Sequence, residues 1–103
     1  MITAIVYFKL PEGMTCEQII FNFEKTAQKW LDNQDLIRKY YLIDLDRGLA
    51  GGVYLWKEKM HAEIWLDAEF KKMVKENYGE EPTLQFFETP IVVDNISSGI
   101  TKE

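Results

Sequence analysis

Few residues in this chain are able to do chemistry, and their spacing limits what that chemistry is. His61 is the only histidine and the only side chain whose ordinary pKa lies near neutrality. It stands one helical turn before Trp65, so both side chains reach the same side of a helix. That spacing sets a general base or hydrogen-bond partner beside a wide ring, although a lone histidine more often is simply a half-exposed helix residue. Lys39 and Tyr41 lie two apart in a strand-like run and share one face, placing an ammonium and a phenol in one layer. A lysine at a sheet edge would instead be merely solvated. Tyr54 shares a strand face with Trp56, and Val53 and Leu55 take the other. The block Ala50-Gly51-Gly52-Val53-Tyr54-Leu55-Trp56 joins wide apolar side chains to backbone that can be approached closely, which is how a pocket wall is built. Trp30 and Tyr7 are further candidates for its border, although both also suit a core.

The bulk composition narrows the classes. A length of 103 residues predicts one domain, and 47% hydrophobic with 14% aromatic residues predicts a folded core. The net charge is −5 with both signs interspersed, which argues against a nucleic-acid surface. Lys71, Lys72 and Lys75 lie among Glu69 and Glu76 and form a solvated helix face. Cys16 is the only cysteine, so no intrachain disulfide or cysteine metal cluster can form, and it reads as a small apolar filler. The chain contains no glycine-rich dinucleotide motif, no P-loop and no Cys/His ligand set. Its opening run is strand-like rather than signal-like, and no apolar run nears the roughly 20 residues that cross a bilayer. The expectation is a cytoplasmic protein without a membrane segment.

The elements that must hold these residues follow from periodicity. Ile2 to Phe8 is β-branched and aromatic, with both faces apolar, and ends at Pro11-Glu12-Gly13. Thr15-Cys16-Glu17-Gln18 fits a capping box. Behind it Ile19, Ile20, Phe23, Ala27, Trp30 and Leu31 recur at helical spacing. Leu36 to Leu45 reads as a second strand; Asp46-Arg47-Gly48 is a turn, and Gly52 to Trp56 is a third strand, with a bulge expected at Gly51-Gly52. Glu58 to Leu66 turns helical, a break falls near Asp67, and Ala68 to Asn77 is a second piece closed by Gly79. Thr83 to Thr89 is the fourth strand, and Ile91 to Asp94 resumes after Pro90. This β-α-β-β-α-β order predicts an α+β, ferredoxin-like antiparallel sheet over residues 1–94, with 95–103 as a C-terminal tail. Strands with two apolar faces leave one sheet face uncovered by helices. A symmetric homodimer, sheet on sheet, with Ile91-Val92-Val93 joining the partner's sheet, is the economical cover.

In Leu36-Ile37-Arg38-Lys39-Tyr40-Tyr41-Leu42, in the Ala50 to Trp56 block, in Ala62 and Trp65-Leu66, and in Phe87-Glu88, the chain resembles the YdhR-type monooxygenases. These are dimeric α+β-barrel proteins related to the antibiotic-biosynthesis monooxygenases. The resemblance spans Ile2 to Asp94 in element order. Gln34-Asp35 stands where the family often has Pro-Gly, and the family pattern does not call for a histidine at position 61. The resemblance implies oxygenation with no flavin, haem or metal cofactor: a phenol or hydroquinone loses a proton, and its anion passes an electron to dioxygen. His61 and Lys39 would then be the catalytic candidates, as base and as the charge that stabilises an aryl-oxide. Tyr41, Tyr54, Trp65, Trp30 and Tyr7 would bind the small aromatic substrate. Two other functions suit the same residues. One is a non-catalytic module that binds or senses an apolar metabolite, and the other is haem degradation with His61 as axial ligand.

Overall fold

The computed structural model describes all residues from Met1 to Glu103, and each element begins where local chemistry allows. The Thr15 hydroxyl accepts from the Gln18 amide while the Gln18 side chain accepts from the Thr15 amide, which starts helix α1, Cys16–Leu31. Helix α2, Lys59–Trp65, stops at Leu66. The Asp67 carboxylate then accepts from the Phe70 amide and opens α3, Ala68–Tyr78, which ends at Gly79 with φ +97°. The expected break near Asp67 is thus an N-cap.

Strands β1 (Ile2–Lys9), β2 (Leu36–Asp44), β3 (Leu49–Trp56) and β4 (Thr83–Glu88) form one antiparallel sheet in the order β2-β3-β1-β4. With three helices on it this is an α+β fold, compatible with the ferredoxin-like arrangement. No helix is long and apolar enough to cross a membrane. Ile2, Ala4, Val6 and Phe8 of β1 and Ala50, Tyr54 and Trp56 of β3 face the helices and join Ile19, Trp30, Ala62, Leu66, Phe70, Val74 and Tyr78 in one core. Trp56, Ile19 and Val6 are its largest fully buried side chains, each stabilising the fold by roughly 1.5–3 kcal/mol through burial.

Four expectations are corrected. Gly51 and Gly52 keep regular register with β1 and β2, and the bulge lies in β2 instead, between Leu36 and Arg38. The extra residue restores Leu36 to the helix-facing side shared by Lys39, Tyr41 and Ile43, opposite Trp56, Tyr54, Gly52 and Ala50. The inward stripe of α1 runs through Ile19, Phe23, Thr26 and Trp30, while Ile20, Ala27 and Leu31 are exposed, because one turn of 3.6 residues drifts against a mixed spacing of three and four. Tyr7 lies on β1 with Thr3 and Ile5, on the face away from the core, so it does not border a cavity under the helices. Finally, residues 95–103 are not a loose tail: Gly99–Lys102 is strand β6, paired antiparallel with β5, Ile91–Asp94. The turn between them is closed by the Asp94 carboxylate, which accepts from the Ile96 and Ser97 amides. Arg38 donates to the same carboxylate at 3.1 Å and holds it well below the usual range, at about 2.

The paired glycines have a steric cause. A Cβ on Gly51 would lie 1.9 Å from the Val6 carbonyl oxygen and 2.8 Å from the Tyr7 Cα, both backbone atoms of β1. A Cβ on Gly52 would meet the Tyr40 carbonyl oxygen at 2.9 Å and Lys39 Cε and Tyr54 Cε1 at 3.3 Å. Gly51→Ala should therefore destabilise the protein by about 3 kcal/mol or more, since backbone cannot yield as a side chain does. Gly48→Ala, at φ +64° in open space, should cost about 1–2 kcal/mol from the left-handed conformation alone. Urea denaturation midpoints of the two variants measure the difference.

Candidate functional site

Between α1, α3 and the sheet lies a cavity of about 120 Å³, floored by Gly51 and Gly52 and walled by Phe23, Thr26, Trp30, Lys39, Tyr41, Tyr54, Phe70 and Tyr78 among others. The missing side chain at position 52 leaves this space, because its neighbours Ala50 and Tyr54 on the same face are filled. An apolar cavity of about 150 Å³ holds benzene, so this one is of the size of a single ring, with an open side.

Its walls are an aromatic framework. Trp30 meets Tyr54 edge-on at 5.3 Å between centroids and Phe70 at 6.3 Å, Tyr54 stacks on Trp56 at 5.9 Å, and Phe23 stacks on Tyr41 at 4.5 Å. Such pairs hold their geometry by quadrupole as well as by area. Tyr41 is further fixed by a 2.6 Å hydrogen bond between its hydroxyl and Thr26 Oγ1. Thr26 itself donates to the Phe23 carbonyl, so the Tyr41 hydroxyl donates to the threonine oxygen.

Into this framework projects the half-buried Lys39, while Lys29 lies over the Trp30 ring at 5.0 Å and Lys25 stands at the lining. Lys39 Nζ stands 3.8 Å from the ring centre of Tyr41 and 4.5 Å from those of Trp30 and Tyr54. Burial first, and then the Lys29 ammonium, pull Lys39 from its ordinary 10.5 down to about 7. The three ring faces act the other way, because their quadrupoles favour the cation. No carboxylate is among the groups that act on it. Burial raises the phenols of Tyr41 and Tyr54, the hydrogen bond to Thr26 partly opposing it for Tyr41. Near neutrality the cavity therefore offers an amine that exchanges a proton and two phenols that keep theirs.

The structure thus brings Lys39, Tyr41, Tyr54 and Trp30 together and places the other candidates elsewhere. His61 and Trp65 do not line the cavity. Both turn to Asp35, which accepts from Trp65 Nε1 at 3.0 Å and lies 3.6 Å from His61 Nε2. His61 Nδ1 is buried without a hydrogen-bond partner. Trp65 is 39% exposed, so it is a side chain at the rim of α2 rather than a wall opposite Tyr54. The departure at Gln34-Asp35 supplies this third member. No group of three or more His, Cys, Asp or Glu side chains is arranged to hold a metal.

Thr26, Phe23 and Phe70 are wall residues that sequence reasoning missed. Thr26 carried a usable signal: it is a polar residue seven after Ile19 and four before Trp30, on the inward stripe. Comparison of the chain with models of known protein families and with curated proteins finds no match.

The lowered Lys39 has a stability consequence with a definite sign. Between pH 10.5 and about 7 the unfolded chain binds a proton that the folded chain does not, so stability falls as pH falls through this window and levels off below it. Lys39→Met should remove that slope and raise Tm at pH 7 by several degrees. Thermal unfolding of both proteins from pH 6 to 10.5 checks it.

Proposed function

We propose that the chain is a cofactor-independent oxygenase acting on a single-ring phenol or hydroquinone, with Lys39 as the base. The observation that carries this is an amine of pKa about 7, caged by three rings, at the wall of a cavity of about 120 Å³. The resemblance to YdhR-type monooxygenases supplies the reaction class, and the cavity supplies the substrate size.

The ring enters among Trp30, Tyr54 and Phe23, excluding water. Neutral Lys39 takes the phenolic proton, and the resulting ammonium faces both the aromatic cage and the aryl-oxide. Deprotonation makes the ring electron-rich enough to reduce dioxygen. For a hydroquinone the balance closes with the substrate as sole reductant. It loses four electrons, one oxygen atom enters at a ring carbon to give a hydroxyquinone, and the other leaves as water. The protonated phenols are not bases: Tyr41, whose proton goes to Thr26, serves as wall, and Tyr54 as wall and donor.

The same cavity suits a binding or sensing module, and one observation favours that second function: His61 lies outside the cavity, so Lys39 is its only group that titrates near neutrality. Haem degradation fits least, since His61 does not reach the cavity and a tetrapyrrole far exceeds its volume.

The homodimer belongs to the same proposal. Ile5, Tyr7, Tyr40, Leu42, Val53, Leu55 and Phe87 spread over all four strands on the face without helices. Tyr40, Leu42 and Phe87 are 54, 43 and 52% exposed. An apolar face that crosses a whole sheet is an association surface, and a second copy meets it by twofold symmetry. The cavity opens on the opposite face, so the dimer leaves it accessible.

Two measurements test these statements. With hydroquinone or catechol in an oxygen electrode, wild-type uptake should rise with pH through about 7 and level off above it. Lys39→Met should lower uptake by a factor of roughly 100 or more. Saturable phenol binding with no uptake at any pH would leave the binding module instead. In sedimentation velocity the wild type should run as a dimer and Leu42→Lys as a monomer with unchanged far-ultraviolet dichroism. A monomeric wild type would sink the dimer alone.

A further inference from the structure

The Lys39 cage has a property that proton transfer does not use. A lysine becomes a nucleophile toward carbonyl carbon when three conditions meet: the amine is neutral in part, no carboxylate holds its lone pair's proton in place, and water is scarce enough that the product persists. Lys39 lies against three ring faces with no acidic partner. Lys59 is paired with Glu63, and Lys25 and Lys29, though each lies over one ring, are exposed and so remain in water. The space next to the amine is apolar and the size of one benzene ring.

We infer that Lys39 forms an imine with a single-ring aromatic aldehyde whose ring occupies the cavity beside Trp30 and Tyr54. The amine lone pair bonds to the carbonyl carbon as the C=O π bond opens onto oxygen. Both N–H hydrogens then leave with that oxygen as water, and C=N forms with no net oxidation or reduction. Tyr41 stands in the right place to assist. Its ring face lies against the amine, so it favours the cationic carbinolamine and iminium stages that accompany loss of water. The hydrogen bond to Thr26 Oγ1 fixes that ring. Stacking on the framework and exclusion of water both slow the reverse hydrolysis.

The inference rests on the same cavity and the same lysine as the proposed oxygenase, but not on dioxygen. The two therefore fail separately: imine formation proceeds anaerobically, and oxygen uptake requires no aldehyde.

The test is reductive trapping of the full chain with benzaldehyde and sodium cyanoborohydride under nitrogen, followed by peptide mass spectrometry. One benzyl group per chain should appear on Lys39. At pH 7 its labelling should exceed that of any exposed lysine by on the order of tenfold or more, because an ordinary lysine is almost wholly protonated there. The rate at Lys39 should level off above about pH 7, while exposed lysines continue to rise toward pH 10. Lys39→Met and Lys39→Arg, each checked for folding by circular dichroism, should lose this adduct, and Thr26→Val should slow it. The inference is overturned by label spread over exposed lysines alone, by equal total label in both Lys39 variants, or by an absent adduct at Lys39. Because the pH profile is read on the wild type, it decides the matter even if both variants unfold.

Discussion

The close approach of three backbones at Gly51-Gly52 is the constraint on which the rest depends. Strand β3 is central, and at these two residues β1 and β2 come near enough that a single methyl group would meet main-chain oxygen on either side. Sheet spacing alone does not demand this, since ordinary strands carry side chains at every position. The consequence is double. On the helix side the empty position 52 becomes the floor of a cavity, and the side chains of Lys39 from β2 and Tyr54 from β3 itself come within 3.3 Å of where a Cβ would stand. A larger residue there would fill the cavity and push the strands apart at once.

Above that floor, burial and aromatic faces oppose each other over one charge. Desolvation disfavours the Lys39 ammonium, and three quadrupoles favour it. Desolvation with the Lys29 ammonium brings the amine down to about 7, and the ring faces pull back toward the charged form. A carboxylate in reach would have ended this balance by locking the cation. Asp35, four residues before Lys39 in the chain, is instead engaged by Trp65 and His61 on another part of the fold. The Lys39 cluster and the Asp35 cluster are thus electrostatically separate.

Much of the fold was legible because its signals are local. The capping box at Thr15, the N-cap at Asp67 and the left-handed Gly79 act within one helical turn, so periodicity and cap chemistry located the helices to within a residue or two. Strand faces were legible in relative terms: Lys39 with Tyr41, and Tyr54 with Trp56, share faces as period two requires. The site was legible only in half. Trp30, Lys39, Tyr41 and Tyr54 meet as a cluster, whereas Tyr7 faces the other way and His61 and Trp65 pair with Asp35 just ahead of β2. The tail was missed because Gly99–Lys102 is only four residues long and pairs only through its hairpin with β5.

What the sequence by itself determined, then, is everything written in spacings of two, three and four residues: the order of elements, the caps, and which side chains travel together. Tertiary structure alone decided which travelling set met the helices. A one-residue bulge in β2 sets that parity relative to Leu36, and a bulge depends on how a strand fits its neighbour rather than on its own residues. The same holds for Lys39. Its type is a matter of sequence, but its acidity comes from burial and from rings contributed by α1, β2 and β3, which only packing brings within 5 Å of it.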